Sequence, residues 1–169
     1  YVFLDNPFLE SITISEGVES LGVDLFSWCE NLRNITLPNS LKSINPYMVH
    51  HCPNIEGFYG NSKFFTDDHK CLIREESFYG NILTLDYFAG KGVQSYSIPE
   101  GIQSIESDAF CSAKELKSLT VPSSLVFVRP NAFQGCDSIE SLTGPNSVVS
   151  NDGKGIEIDG VYYCLVAKK

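Results

Sequence analysis

Apolar residues recur along this chain at a fixed interval. Leu116, Leu119, Val121, Pro122, Leu125, Val128, Ala132, Phe133 and Cys136 lead to Ile139, where the pattern begins again after 23 residues. One period earlier stand Val93, Tyr96, Ile98, Pro99, Ile102, Ile105, Ala109, Phe110 and Ala113. The leading apolar position falls at Leu9, Leu32, Ile55, Val93, Leu116 and Ile139, with steps of 23, 23, 38, 23 and 23. Self-similarity of this length marks a solenoid, in which no unit can bury its apolar face alone and each stacks on its neighbours.

The predicted core is a set of ladders running through the stack. One is Ile12, Ile35, Phe58, Tyr96, Leu119 and Leu142; another is Phe26, Val49, Phe110 and Phe133. Within a unit, Ser11-Ile12-Thr13-Ile14 alternates polar with apolar residues, as a half-buried strand of a parallel sheet does. Pro38, Pro99, Pro122 and Pro145 follow the corresponding strands and end them, having no N–H to donate. A second short extended piece, such as Leu41 to Ile44, leads to an Ala-Phe segment, of which Asp108 to Ala113 has room for only a helical turn. The expected architecture is one domain over 1–169: a β-rich repeat solenoid with a parallel sheet and short helical (3-10) turns, interrupted by β-hairpins.

The interruptions are predicted at about 61–92 and 146–169. Phe64-Phe65-Thr66-Asp67-Asp68-His69-Lys70 in the first is echoed by Val148-Val149-Ser150-Asn151-Asp152-Gly153-Lys154 in the second. Each is followed by apolar runs separated by turn signals, including Tyr79-Gly80-Asn81 and Asp159-Gly160, which read as hairpin excursions from the solenoid. Phe3 lies one period before Phe26, so Tyr1 enters in mid-unit without a polar capping segment. The expectation is a fragment of a larger protein.

A leucine-type residue, Ile three positions later, an apolar-Pro step, a second apolar pair, Ala-Phe and Cys at this period resemble the BspA-like class of leucine-rich repeat. The match is fullest over Val93 to Ile139; Gly60-Asn61 stands where the third unit would have Ile-Pro, and Ser15 replaces proline in the first full unit. The resemblance implies a leucine-rich-repeat fold in a secreted or bacterial cell-surface protein that mediates adhesion or recognition of host proteins. Fold alone does not fix function.

Composition bounds the rest. A content of 43% hydrophobic and 12% aromatic residues excludes a disordered chain. The formal charge of −9, with acidic residues scattered, argues against nucleic acid or an anionic membrane surface as partner. No apolar run nears the roughly 18 residues of a membrane span, so no membrane insertion is expected of this segment. Six cysteines invite a disulfide framework. Cys29, Cys52 and Cys136, however, share one repeat position that Ala113 fills elsewhere, which favours buried thiols; rung spacing of about 5 Å leaves a Cys29–Cys52 bridge possible by distance.

Candidate chemistry is sparse. There is no CxxC pair, no Gly-x-Ser-x-Gly, and no phosphate loop around Ala89-Gly90-Lys91-Gly92, which reads as a flexible connector. His50 and His51 read as solvated loop residues, and Asp67-Asp68-His69 as a turn needing no metal. Asn34-Ile35-Thr36 is a formal glycosylation sequon, placed in a strand. No catalytic residue, cofactor or metal is predicted. The strand face offers rows of small hydroxyl residues and one candidate anchor, Tyr59. Aromatic residues concentrate instead in the insertions, at Phe64, Phe65, Phe78, Tyr79, Tyr87, Phe88, Tyr162 and Tyr163; about half should pack the hairpins onto the solenoid edge. The expected contact residues are Tyr59, Phe65, Tyr79 and Tyr87. The sequence thus predicts a monomeric, non-catalytic binding module for a protein or glycan. The alternatives are a spacer presenting another domain, or part of an enzyme whose site lies in a further domain.

Overall fold

A computed structural model describes residues 2–76, 80–145, 147–150, 154–158 and 161–164. The first two full units each give two short strands, β1 (Ser11–Thr13) with β2 (Ser20–Leu21), and β3 (Asn34–Leu37) with β4 (Ser43–Ile44). The third gives β5 (Gly57–Gly60) and the hairpin β6 (Cys71–Glu76) and β7 (Ile82–Phe88). Regular units resume with β8 (Ser95–Ser97), β9 (Ser104–Ile105), β10 (Ser118–Thr120), β11 (Phe127–Val128) and β12 (Ser141–Thr143), before the hairpin β13 (Gly155–Ile158) and β14 (Val161–Cys164).

Strands one period apart pair in parallel and in register: Ile12 faces Ile35, Ile35 faces Phe58, and Leu119 lies between Tyr96 and Leu142. The alternation read from the sequence is the observed one, with the central residue of β8, β10 and β12 turned to the core. The result is a parallel β-solenoid of about six turns. No helix forms among the described residues. At 108–113 the chain makes separate i→i+3 turns, from Cys111 N–H to Asp108 O at 3.0 Å and from Ala113 N–H to Phe110 O at 2.9 Å, in place of the expected helical turn.

Cysteine does more at its repeat position than fill space. The thiols of Cys29, Cys52 and Cys136 donate to the carbonyls of Phe3, Phe26 and Phe110 one rung back, at 3.0, 3.0 and 3.3 Å. Where Ala113 removes that donor, the hydroxyl of the preceding Ser112 donates to Phe88 O at 2.7 Å. The Phe26, Phe88 and Phe110 carbonyls also accept backbone N–H groups, from Cys29, Gly90 and Ala113, so the side chain supplies a second bond that ties neighbouring rungs together. The five described cysteine side chains, at 29, 52, 71, 111 and 136, are free thiols, as the repeat position implied; the Cys164 side chain lies outside the described set.

The first insertion corrects the expectation of an excursion. β7 pairs in parallel with β9, Leu85 facing Ile105, so it occupies the place of a second-strand rung. The sheet order is β11-β9-β7-β6. Phe88, fully buried, enters the aromatic ladder beside Phe110, with ring centroids 4.9 Å apart; Phe110 repeats that spacing to Phe133. The first ladder is broken at the same place, because β5 and β8 belong to different sheets. The segment around 68–71 fills the interval: Phe58 N–H donates to His69 O at 2.9 Å, and Tyr96 Oη lies 2.9 Å from Asp68 Oδ2 and 3.1 Å from Cys71 Sγ. Ala89 and Gly90 are buried too, and a side chain at Gly90 would come within 2.7 Å of Ala113 Cα. They form a tight crossing and not a flexible connector.

The echo between the insertions is structural. Thr66 N–H bonds to Cys71 O and Ser150 N–H to Gly155 O, at 2.9 and 2.8 Å. The hydroxyls of Thr66 and Ser150 accept the return bonds from Cys71 and Gly155, both at 3.0 Å. A short side-chain oxygen is what such a turn requires, and the two sequences share it.

Candidate functional site

The four residues expected to touch a partner part company. Tyr59 is 39% exposed on the strand face, but its ring lies back over Gly57 and stacks on His69 at 5.3 Å; the half-buried Phe65 meets the same imidazole at 5.3 Å. Two of the four thus share one patch. Tyr87 is 2% exposed and donates its hydroxyl to Cys52 O at 2.6 Å, which makes it a core residue tying the insertion to the second unit and corrects its reading as a contact. Tyr79 lies outside the described residues. The hydroxyl rows behave as rung-to-rung packing, with Thr120 and Thr143 hydrogen-bonded at 2.8 Å.

A different site emerges on the edge where the Ala-Phe segments turn. Eleven positions separate Leu21 from Leu32, Ile44 from Ile55, Ile105 from Leu116 and Val128 from Ile139, but only eight separate Leu85 from Val93. The inserted rung therefore lacks a full corner. The corners on either side, 47–53 and 108–114, face each other across an opening of about 310 Å³. His50 Nε2 reaches across to Asp108 Oδ2 at 3.0 Å, so His50 is a hydrogen-bond partner of the second corner and not simply solvated.

The floor of this notch is aromatic. Trp28, 51% exposed, stacks on the exposed His51 with ring centroids 4.1 Å apart, and His50 lies 4.1 Å beyond His51. Trp28 and His51 hold the same repeat position, and both have left-handed backbone, with φ of 65° and 57°. At the corresponding place in the unit that begins at Leu116 stands Gly135, with φ of 86°, which also lines the notch. Glycine accepts that conformation freely, whereas a bulky residue there costs on the order of 1–3 kcal/mol. Glu30, Asp108, Lys114 and Gln134 stand around the rim. Burial and the neighbouring His50 lower the pKa of His51, so its ring is neutral at pH 7. Tryptophan drew no attention in the sequence because it is a single residue in a position that varies; its spacing of one period from His51 was the available signal.

Beneath the corner lies a buried charge cluster on the outer face of β6, β7 and β9. Arg74 contacts Asp86, Glu106 and Glu76, with Nε 3.0 Å from Asp86 Oδ1 and Nη2 3.0 Å from Glu106 Oε2; Arg129 Nε is 3.0 Å from Glu106 Oε1. Tyr47 Oη leans on Glu106 at 3.4 Å and so fixes the corner to the sheet. Three acids face two guanidinium groups. Arg74 Nε is close to Asp86 but not aimed at it, so neither Asp86 oxygen receives a hydrogen bond. Burial, opposed by Arg74, pushes the Asp86 carboxyl well above the usual carboxylate range. Asp86 and Glu106 are closed to solvent while Arg129 stays partly exposed, an arrangement that bears on stability. Among the described residues no group of three or more His, Cys, Asp or Glu side chains is placed to hold a metal.

Comparison with known proteins agrees with this architecture. A leucine-rich cell surface protein from Faecalibacterium prausnitzii A2-165 is similar in structure, with a TM-score of 0.60 and 21% identity over 81% of this chain and 42% of that one. The pneumococcal vaccine antigen PcpA gives a TM-score of 0.57 and 19% identity over 82% of this chain and 40% of that one. The chain thus spans about two fifths of the length of these structures. No curated protein matches the sequence. The model of the BspA type leucine-rich repeat region matches residues 1–84 and 81–154 in six copies, and the chain belongs to that family.

Proposed function

We propose that this chain is a non-catalytic recognition module of a bacterial cell-surface or secreted protein, and that it engages a protein or glycan through the notch beside Trp28. The observation that carries the reading is the exposed Trp28–His51 stack, held in backbone that a solenoid would fill more cheaply with glycine. Strain retained at a solvent-facing aromatic pair points to a use for that pair. Tryptophan is also among the residues that dominate binding energy when a partner covers them. The family membership and the printed description of the Faecalibacterium relative as a cell surface protein support the location.

The test is an array of host-cell proteins and glycans probed with the parent chain, Trp28→Ala and Tyr59→Ser. The reading expects a ligand whose affinity falls with Trp28→Ala and holds with Tyr59→Ser. The opposite ranking would move the site to the strand face. Absence of any ligand would favour a spacer that presents another domain.

A further inference from the structure

We infer that the notch takes a neutral glycan, with one pyranoside ring stacked on Trp28 and its hydroxyls bonded by the polar rim. The inference rests on the binding-module reading and specifies its ligand. Its first support is the shape of the apolar surface. The face of an aromatic ring is electronegative and attracts weakly positive C–H groups, which the apolar face of a pyranose presents as a flat set. Trp28 is exposed enough to offer such a face, and an opening of about 310 Å³ sits at the small end of ligand sites, suited to a sugar or two and not to a protein segment's core.

The second support is the chemistry of the rim. Glu30 and Asp108 accept hydrogen bonds, Lys114 donates them, and Gln134 does both. Asp108 spends one bond on His50, and a carboxylate has capacity for more. A ligand that matches such a mixture must donate and accept at adjacent atoms, as vicinal hydroxyls do. Charge then narrows the class. An acidic sugar would meet two carboxylates on a protein of net charge −9, while a cationic side chain, which only donates, would leave Lys114 and the donor groups of Gln134 without an acceptor. His51 stays uncharged, since burial and His50 depress its pKa, and adds no attraction for anions. A neutral polyhydroxyl ligand opposes none of these groups.

Trp28 is the sole tryptophan, so its emission reports on the notch directly. The probe is a panel of neutral hexose and N-acetylhexosamine oligosaccharides, with sialylated and sulfated counterparts, titrated while emission and acrylamide quenching are read and binding is measured in parallel by calorimetry. The expected result is a blue shift and reduced quenching with neutral members, and affinities for acidic counterparts weaker by roughly tenfold or more. Gln134→Ala should weaken binding by roughly three- to tenfold, the loss of about one hydrogen bond, with an unchanged melting temperature. Calorimetric binding that leaves emission and quenching unmoved would overturn the site, and preference for acidic sugars would overturn the class. If only carbohydrate-free proteins bind, the glycan inference falls and the binding module stands. If nothing binds, both fall.

Discussion

Replacing Phe88 by alanine tests whether the first insertion is a rung of the core or an appendage. Phe88 has no exposed surface, and its ring centroid lies 4.3 Å from that of Tyr96 and 4.9 Å from that of Phe110. Truncation removes a fully buried aromatic side chain from between two others, and Gly90, pressed against Ala113 and the Phe88 ring, leaves little slack for collapse. A Phe→Ala change in such a setting costs about 3–5 kcal/mol. The upper half of that range is expected, because two ring pairs are lost as well. The loss should also spread. Leu85 and Phe88 belong to the core shared with residues up to Ile156, whereas Tyr87 and Ala89 belong to the core that begins at Leu21, so β7 joins the two. With a urea slope of about 2 kcal/mol per M, the midpoint should fall by about 2 M. Unfolding followed by far-ultraviolet circular dichroism covers the whole chain, and Trp28 emission covers the first core. Both should move, and the two transitions should separate as coupling between neighbouring rungs weakens. A loss below about 1 kcal/mol, with Trp28 reporting an unchanged midpoint, would refute the assignment and restore the excursion.

Ser112→Ala should cost about 0.5–1.5 kcal/mol in urea unfolding, since the Phe88 carbonyl loses the hydroxyl donor that cysteine supplies in other rungs and keeps only the Gly90 N–H; a change under about 0.3 kcal/mol would refute that role. Asp86 binds its proton more tightly in the folded chain than in the unfolded one, so its contribution is fully present below about pH 4 and lost as the pH rises through its raised folded value. Asp86→Asn, which also balances the two guanidinium groups, should therefore gain on the parent in melting temperature as the pH is raised from 4 to 8, and parallel profiles would refute the account. Burial raises Cys52 and Cys136 to about 12, leaving about one part in ten thousand as thiolate at pH 8; iodoacetamide should label them in guanidinium and not in the folded chain, and labelling of the folded chain at the rate of a free thiol would refute their burial.

The fold was legible because each regular unit repeats one solution. The alternation around Ile12, the prolines after the strands and the shared place of Cys29, Cys52 and Cys136 each point to the same architecture, and consistency of that kind is what makes a sequence readable. Tyr87 was misread for the reason that makes insertions hard: its neighbours carry no repeat partner, so burial could not be inferred from a ladder. Phe88 could have been placed, because Leu85-Asp86-Tyr87-Phe88 supplies an apolar residue where the aromatic ladder skips from Val49 to Phe110. The charge cluster was illegible in principle. Arg74 and Asp86 come from β6 and β7, Glu106 and Arg129 directly follow β9 and β11, and only the register of an antiparallel hairpin docked on a parallel sheet brings them together.

A solenoid that keeps its period presents flat faces and ridged edges, since every corner is covered by the next. A cleft requires a missing corner. Here the omission and its repair come from one event: the hairpin delivers Leu85 and Phe88 to the core, and so keeps the stack continuous, while its short return to Val93 leaves the edge open. The flanking corners then supply what lines the gap, Trp28 and His51 from one side and Asp108 from the other. The break in the 23-residue rhythm therefore acts at a distance from its own sequence. The described aromatic residues of the insertion mostly turn inward, and the surface that it creates is furnished by residues of the regular units on either side. Inserting three residues between Gly90 and Val93 to rebuild the corner should close the notch and abolish ligand binding without loss of fold, an outcome that removal of Trp28 alone cannot distinguish from loss of a single contact.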